Sequence, residues 1–489
     1  MTWAVLWLGA AALMPDTYAQ ETALLHELTA VEAAERIRNR EISSVELVEA
    51  LLDRIDQHAS LNAFISINRR AALAGARAAD RAVRRGEALG PLTGVPLVVK
   101  DNINARGLAT TAGTPALANF SPANNAPVVE QLVRAGAIVL GKTNMHELAV
   151  GITSNNAHFG AVGNAYQPSY FAGGSSGGSG TAIAARLAPA GLGTDTGGSV
   201  RIPAALNGIA GLRPTIGRYV QSGIVPISST LDTPGPMARS VEDLVLLDNV
   251  ITGYDQPIDR YELSELRVGV PRVPFWSDSD TEVLAVAEPL IARLEAAGAT
   301  VIELQMDGFE ALVAPAQFSI ALYEINRDLA RYLDEFDTGV SIADVKAQIA
   351  SPDVRAILNP EGDTAVTADQ YRAAMEVHRP ALQAYYRGLF AEQQLDALIF
   401  PTTRLAARPI EESDVLTHNG REMPTFPAFV ANTSPGPIAG IPGLSIPIGL
   451  TGKGLPVGIE VDGPPFSDRR LLAIGLAIEA LVGRLPAPD

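Results

Sequence analysis

The sequence predicts an α/β fold in which helices cover a mainly parallel or mixed central sheet. Short apolar runs alternate with helical segments along much of the chain, as they do in layered α/β proteins. The hydrophobic share of 47% and the charged share of 19% allow a large buried core. Length alone would allow several domains in 489 residues, but no change of composition marks a linker and no long-period repeat is present.

The predicted strands are short runs rich in β-branched and aliphatic residues. A helical segment, Val128 to Ala135, lies between the first two of them. The five runs are Val95 to Val99, Ala137 to Leu140, Leu398 to Phe400, Leu444 to Ile448 and Val457 to Val461.

Two predicted helices begin at capping boxes near the N-terminus. Thr29 and Ser43 each stand three residues before a glutamate, so the hydroxyl and the carboxylate can satisfy each other's backbone N–H groups. A third helix is predicted over Ala71 to Arg85, and Gly86 ends it.

The first residues predict a signal peptide. The apolar run from Trp3 to Met14 is shorter than the ~20 residues of a membrane-spanning helix. The small residues at Thr17-Tyr18-Ala19 then suit cleavage before Gln20. We therefore expect residues 1–19 to be removed, residues 20–489 to form the mature domain, and the protein to be exported to the periplasm or beyond. No lysine or arginine precedes Arg36, so the alternative is an N-terminal helix packed on the core of a cytoplasmic protein.

Charge and composition exclude several classes of function. The net charge of −17 and the pI near 4.9 disfavour nucleic-acid binding, which needs a basic face. The absence of cysteine excludes disulfides, thiolate nucleophiles and cysteine-based zinc sites. A small or neutral substrate and an oxygen or nitrogen nucleophile remain.

The segment from residue 255 to residue 394 differs from the rest of the chain. It is more acidic and rich in helix formers, and Phe318, Tyr323 and Tyr332 are spread along it. We interpret it as a helical excursion over the sheet that could line a substrate pocket. For any one of the three aromatic residues, an ordinary core position is the more common explanation.

Two glycine-rich segments are candidates for the chemistry. Residues 172–180 read AGGSSGGSG, and glycines at this density let the backbone approach a bound group. In the following segment, residues 191–212, Gly197 and Gly198 precede Ser199, so backbone N–H groups can converge beside a hydroxyl. Asp195 and Arg201 flank that serine, and charges in such apolar surroundings are expected to be paired.

Lys100 is a candidate base for a serine nucleophile. It ends the predicted strand Val95 to Val99, where burial would disfavour its ammonium form. To act near neutral pH its pKa must fall from ~10.4 by about three units, which is within the range of buried lysines. A surface lysine at a strand end is the alternative interpretation.

Two patterns that imitate nucleotide or metal sites lack the required context. Residues 136–143 match the phosphate-binding string GxxxxGKT, but Ile138 to Leu140 look like the strand itself instead of the loop. His146-Glu147 lacks a second histidine at HExxH spacing because position 150 is Val150. We expect neither a nucleotide nor a metal.

A third pattern points to a different serine. Residues 173–177 match the GxSxG elbow of α/β-hydrolases around Ser175. That class needs an acid and then a histidine downstream, and only His378 and His418 follow, neither within a motif.

Lys100, GGSSGG at residues 173–178 and TDTGGSVRIPA at residues 194–204 together resemble the amidase signature family. The resemblance continues through GKTNMHELA at 141–149 to GIPGLSIPIGL and LPVGIEVDGP near the C-terminus. It covers most of the chain, and its central motif is long and specific.

The resemblance implies a single α/β/α domain with a mixed sheet and a Ser-cisSer-Lys triad. Ser199 would be the nucleophile that forms an acyl-enzyme, Ser175 the proton relay after a cis Gly174-Ser175 peptide bond, and Lys100 the base. Main-chain N–H groups of Thr196, Gly197, Gly198 and Ser199 would hold the oxyanion, with Asp195 and Arg201 in support. No cofactor or metal is implied.

The C-terminal text VGIEVDGPPFSDRRLLAIG is similar to that of small aryl-amide hydrolases, such as mandelamide or indoleacetamide hydrolases. This implies cleavage of a small, aryl-bearing amide to an acid plus ammonia or an amine, by a monomer or homodimer without a membrane span or a nucleic-acid partner. Alternatives within the family are peptide-amide, aryl-acylamide, carbamate and ester hydrolysis. The alternative of another class is the glutaminase component of a tRNA-dependent amidotransferase, which a genuine signal peptide would exclude because that component works in the cytosol.

Overall fold

The structure, a computed structural model, describes residues 25–360 and 365–488. The predicted signal peptide, residues 1–19, lies outside the described residues and stays a prediction. No helix within the described ranges is long and apolar enough to cross a membrane.

The strands of the described chain are short, and most of them join one sheet. They are β1 (Phe64–Ile67), β2 (Pro96–Lys100), β3 (Ile138–Thr143), β4 (Asn155–Asn156), β5 (Gly160–Ala161), β6 (Ala190–Asp195), β7 (Ala210–Arg213), β8 (Thr233–Ala238), β9 (Arg267–Pro271), β10 (Thr300–Gln305), β11 (Ala397–Pro401), β12 (Val415–His418), β13 (Arg421–Pro424), β14 (Gly443–Leu450) and β15 (Pro456–Asp462).

Eleven of these strands form a mixed sheet with the order β1-β3-β2-β6-β8-β7-β14-β15-β11-β9-β10. The pairs β3/β2, β2/β6, β11/β9 and β9/β10 are parallel, and the others are antiparallel. β4 with β5 and β12 with β13 form separate hairpins. The mixed sheet that the sequence predicts is therefore present.

Helices flank this sheet. They are α1 (Ala30–Arg38), α2 (Ser44–Gln57), α3 (Arg69–Arg85), α4 (Pro127–Arg134), α5 (Gly177–Ala184), α6 (Arg201–Leu206), α7 (Val241–Thr252), α8 (Thr281–Ala296), α9 (Phe309–Val313), α10 (Ser319–Glu335), α11 (Ile342–Gln348), α12 (Pro352–Leu358), α13 (Ala368–Ala373), α14 (Arg379–Glu392), α15 (Thr425–Val430), α16 (Pro435–Ala439) and α17 (Asp468–Val482). Short 3-10 and π turns connect several of them.

The local signals in the sequence give the positions of these elements closely. All five predicted strands are present as β2, β3, β11, β14 and β15. Thr29 and Ser43 both form complete capping boxes, each accepting from the N–H of the glutamate three residues on while that carboxylate accepts from the cap N–H. The GxxxxGKT string lies largely within β3, as its apolar residues indicate.

The segment 255–394 is helical for most of its length, but it also contributes two strands to the sheet. β9 and β10 extend the edge beside β11, which the helix-rich composition did not indicate. The helices α10 to α12 pack through an apolar cluster that is separate from the main core and includes Leu329, Tyr332, Val345 and Val354. This cluster joins the helical part of the segment to the loops beside Leu148.

Candidate active site

The parallel pairing of β2 with β6 brings the first candidate residues together. Val99 lies opposite Leu192 in this pair, so the carboxyl ends of both strands lie at the same edge of the sheet. Lys100 ends β2, and Thr194 and Asp195 end β6. The glycine-rich loop with Ser175 precedes α5 and reaches the same edge.

Lys100 is fully buried and contacts hydroxyl groups. Its Nζ lies 2.8 Å from Ser175 Oγ and 2.8 Å from Thr194 Oγ1. The Nδ2 of Asn102 also donates to Thr194 Oγ1, at 3.1 Å. The described residues place no carboxylate within ion-pair distance of Nζ.

Burial lowers the pKa of Lys100 to about 7, although the carboxylates of Asp195 and Asp232 act in the opposite direction. A charged ammonium in a fully buried site loses its hydration, and hydroxyl partners replace only part of it. At neutral pH a large fraction of Lys100 is therefore the free amine, which can accept a proton.

Backbone contacts hold the loop that carries Ser175. The Gly174-Ser175 peptide bond is cis, as the resemblance implies. The carbonyl of Ser175 accepts from His146 N at 3.2 Å. A Cβ atom at Gly174 would lie 2.9 Å from Ile152 C and 3.0 Å from Ser154 N, so any larger residue here requires the neighbouring backbone to shift.

Ser199 lies directly after the turn that ends β6, and it is 7% exposed. Its carbonyl accepts from Ser176 N at 3.2 Å, which joins the two glycine-rich segments. The side chain of Asp195 accepts from Gly198 N at 2.9 Å and from Val200 N at 3.1 Å. This carboxylate therefore fixes the turn on both sides of Ser199.

The two glycines before Ser199 have different environments. A side chain at Gly198, whose φ is +135°, would collide with Thr433, whose hydroxyl donates to Gly197 O at 2.7 Å. Space around Gly197 is open. The sequence predicts that the Gly198 N–H faces an oxyanion, but in the structure this N–H donates to Asp195 Oδ1. Thr196, Gly197 and Ser199 have N–H groups without an acceptor in the described chain.

Asp195 and Arg201 are paired, as their apolar surroundings predict. Arg201 donates through Nε to Asp195 Oδ2 and through Nη2 to Oδ1, both at 3.1 Å. Arg213 donates to the same Oδ1 at 3.0 Å, and Arg201 Nη1 donates to Glu460 at 2.7 Å. All four side chains are buried.

The carboxylates of this network differ in the direction of their pKa shifts. Burial opposes ionisation of Asp195, but the two guanidinium groups overcome it and hold its pKa far below the usual range. Burial raises the pKa of Glu460, and burial together with Glu460 raises the pKa of Asp462 well above its usual value. The contacts of Asp195 with two arginines reduce the cost of burying its charge.

Two cavities adjoin the turn before Ser199. We call the first the apolar cavity. It has a volume of about 270 Å³ and contains no charged side chain in its lining, which includes Ser199, Ile227, Leu231, Phe318, Leu322 and Phe426.

We call the second the polar cavity. It has a volume of about 310 Å³ and is lined by residues that include Asn102, Thr194, Asp232, Asp328, Arg331 and Glu335. Thr196 lines both cavities.

The aromatic residues of the helical segment have three different environments. Phe318 lies at the apolar cavity, where its ring is 5.8 Å from that of Phe426. Tyr332 is buried and donates to Asn104 Oδ1 at 2.7 Å. Tyr323 stacks on Tyr371 away from Ser199.

His146 and Glu147, which follow β3, attach the helical segment to the sheet. His146 Nε2 lies 2.8 Å from Asp353 Oδ2, and Glu147 accepts from the N–H groups of Ala350 and Ser351. In the part of the chain that the structure describes, no cluster of three or more histidine and acidic residues suits a metal ion.

Several residues of the site are absent from the sequence prediction. Thr194 accepts from Lys100, and Asn102 donates to Thr194. Thr194 lies within the TDTGGS motif itself. Asp232 accepts from Thr196 Oγ1 at 2.7 Å and from the N–H groups of Ile227 and Ser228 at 2.8 and 3.0 Å. No local pattern marks Asp232, because its partners become neighbours only in the folded chain.

Comparison with known proteins identifies the family of the chain. A family profile described as Amidase matches residues 46–472. Mandelamide hydrolase of Pseudomonas putida is 45% identical over 483 residues, covering 95% of this chain and 93% of that protein. Indoleacetamide hydrolase of Agrobacterium vitis is 44% identical over 459 residues, covering 94% and 98%.

A more distant relative of known structure shares the fold. The native peptide amidase from Stenotrophomonas maltophilia superposes with a TM-score of 0.80 at 32% identity, covering 95% of this chain and 98% of that one. The chain belongs to the amidase signature family, and it is an amide hydrolase of that family. A glutamyl-tRNA(Gln) amidotransferase component from Halorhodospira halophila is less similar, at 39% identity over 482 residues, covering 92% and 96%.

Asp195→Asn is expected to destabilise the protein by about 3 to 5 kcal/mol, because it leaves Arg201 and Arg213 buried with one carboxylate fewer. Thermal and denaturant unfolding measure the change. Asp369→Asn is the matched control, since it breaks the exposed pair with Arg372 and should leave the unfolding midpoint unchanged. Equal midpoints for Asp195→Asn and the native chain would contradict the structural role of the network.

Proposed function

We propose that the protein is a serine amidohydrolase that cleaves a small, aryl-bearing carboxylic amide to an acid plus ammonia or an amine. The observation that carries this proposal is the contact of buried Lys100 Nζ with Ser175 Oγ at 2.8 Å, combined with a Lys100 pKa of about 7. A lysine that is partly neutral can serve as a general base without a histidine.

Acylation begins when neutral Lys100 accepts the hydroxyl proton of Ser175. Ser175 takes the proton of Ser199 in turn, and Ser199 Oγ adds to the amide carbonyl. The N–H groups of Thr196, Gly197 and Ser199 stabilise the resulting oxyanion. The loss of one such donor typically lowers the rate by ~10² to 10³.

Collapse of the tetrahedral intermediate breaks the C–N bond, and the electron pair stays on nitrogen. Ser175 gives a proton to this nitrogen and recovers one from Lys100, which becomes neutral again. Water then attacks the acyl group on Ser199, with Lys100 and Ser175 repeating the proton transfer, and the acid is released.

The lining of the apolar cavity supports an aryl or other uncharged acyl group. Phe318 and Phe426 provide aromatic faces near Ser199, and aromatic rings pack favourably against each other. The relatives named mandelamide and indoleacetamide hydrolase agree with this preference. In this proposal residues 20–489 form the amidase domain, and part of 255–394 forms the acyl-pocket wall.

The same lining weighs against the glutaminase function. Glutamine carries an α-ammonium and an α-carboxylate, and burying either without a charged partner is costly. The apolar cavity has no charged side chain to pair with them. Peptide amides, aryl acylamides, carbamates and esters remain alternatives, because Ser199 could attack each of these carbonyls.

A fluorophosphonate probe should add its mass to Ser199, because that hydroxyl is the proposed nucleophile. Ser199→Ala should remain unlabelled, and Lys100→Ala should lower kcat by about 10⁴-fold or more through loss of the base. Lys453→Ala, at an exposed lysine far from the site, should keep native activity. Labelling of Ser175 in peptide mass spectra, or full activity of Lys100→Ala, would refute these roles.

The pH dependence of kcat/KM should report the neutral form of Lys100. Activity should rise with pH through about 7, the pKa to which burial lowers this lysine, because the ammonium form cannot accept a proton. Asp232→Asn should move this rise in activity, the acidic limb of the pH profile, to lower pH, since the Asp232 carboxylate raises the pKa of Lys100. Asp344→Asn, remote from Lys100, is the control, and an unmoved limb in Asp232→Asn would contradict the assignment.

A substrate panel on the purified chain tests the acyl preference. Aryl acetamides should release ammonia without ATP or a partner, whereas glutamine should not react. Phe318→Ala should lower kcat/KM for aryl amides by about 10-fold or more and affect acetamide less, because a buried apolar contact is lost. Phe466→Ala, a 78% exposed aromatic residue away from the apolar cavity, should change neither. Faster turnover of glutamine than of aryl amides would overturn the proposed substrate.

A further inference from the structure

We propose that the polar cavity binds the nitrogen side of the substrate, as ammonia or a small primary amine, before that product leaves the enzyme. This proposal rests on the proposed amide hydrolysis and adds a place for the leaving group. The apolar cavity would then hold only the acyl group.

The position of the polar cavity relative to the proton donors supports this assignment. Its inner end includes Thr194, which shares Lys100 Nζ with Ser175. Ser175 is the group that protonates the departing nitrogen in the proposed mechanism. Through Thr194, the polar cavity therefore begins beside Lys100, the hydrogen-bond partner of Ser175.

Thr196 marks the boundary between the two cavities. It lines both of them, and its N–H is one of the proposed oxyanion donors. An amide whose carbonyl group is held at this turn would direct the substituent on its acyl side toward the apolar cavity and its nitrogen toward the polar cavity. The two sides of the scissile bond thus have separate surroundings.

The inner polar cavity contains acceptors suited to N–H groups. Asn102 is buried, its Nδ2 donates to Thr194 Oγ1 and to Val225 O, and its Oδ1 has no partner in the described chain. A buried acceptor without a partner is costly, and an amine or ammonia would satisfy it. Asp232 adds a carboxylate at the same wall.

The charges of the polar cavity suit the product at neutral pH. Asp328 pairs with Arg327 and with Arg331, which also lines the cavity. Asp232 and Glu335 form no ion pair in the described chain, and they add negative charge to the lining when ionised. An amine that is released takes a proton from water and becomes a cation. The acidic lining would then attract it away from the acyl-enzyme, which reduces reversal of the acylation step.

Two exposed serines at the polar cavity provide the test. Ser222 and Ser229 line it, so Ser222→Trp and Ser229→Trp should narrow it without touching the triad. With one aryl acetic acid as the acyl group, kcat/KM for its N-ethyl amide should fall about 10-fold. Its primary amide should change by less than about twofold, since ammonia needs little space.

Leu322→Trp is the matched control because Leu322 is a partly exposed residue of the apolar cavity. It should lower both substrates by the same factor. Equal losses for the two amides in both serine variants would overturn the proposal, and so would leaving-group discrimination produced by Leu322→Trp. Either result would refute only the role of the polar cavity. A native chain that cleaves no amide would instead refute the proposed function.

Product inhibition gives an independent measurement that does not require cleavage of N-ethyl amides. Ethylammonium should inhibit hydrolysis of the primary amide more strongly than ethanol, its neutral isostere, does. Both serine variants should weaken this inhibition several-fold, and Leu322→Trp should leave it unchanged. Equal inhibition by ethylammonium and ethanol, or inhibition unaffected by the serine variants, would overturn the proposal.

Discussion

The buried carboxylate of Asp195 is the group on which the geometry around Ser199 depends. It accepts from two arginine side chains and from the N–H groups of Gly198 and Val200. An unpaired carboxylate is costly at this depth, so the turn depends on the guanidinium groups that pair with Asp195. The sheet supplies one of them, since Arg213 ends β7.

This anchor explains how distant parts of the chain meet at one edge of the sheet. Arg201 begins α6 and reaches Glu460 on β15, a residue 259 positions away. Through Arg201 and Arg213, Asp195 thereby connects the end of β6 to β15 and β7, which lie near the centre of the sheet. Lys100 reaches the same edge through the parallel pairing of β2 with β6. The ion pairs and the strand pairing therefore impose the same geometry on the site.

Local sequence signals predicted much of the fold and the central residues of the site. Glycines around Ser175 and Ser199, and a lysine at the end of an apolar strand, are recognisable without knowledge of contacts. The contact between Asp232 and Thr196 has no such signal, since it joins separate loops. Glu460 could have been suspected, because a carboxylate within the apolar strand β15 requires a buried partner.

Two other differences arise from competition between local and tertiary interactions. β10 reads TVIELQ and has only one buried residue, Leu304, at the sheet edge. It therefore lacks the long apolar run of a central strand, and the helix-rich context concealed it. The N–H of Gly198 was expected to face a substrate, but the Asp195 side chain lies close enough to take it. In both cases the local pattern allowed two outcomes, and neighbours in space selected one.

The attachment of α12 through His146 and Glu147 has a consequence for protein engineering. Residues 317–358 provide much of one wall of the apolar cavity, and polar contacts and one apolar cluster fix them to the rest of the chain. The serines and the lysine lie on other elements, so substitutions in this wall can reshape the cavity without altering their supports. Substitutions in the charged network of Asp195 cannot do so, because its members come from distant segments.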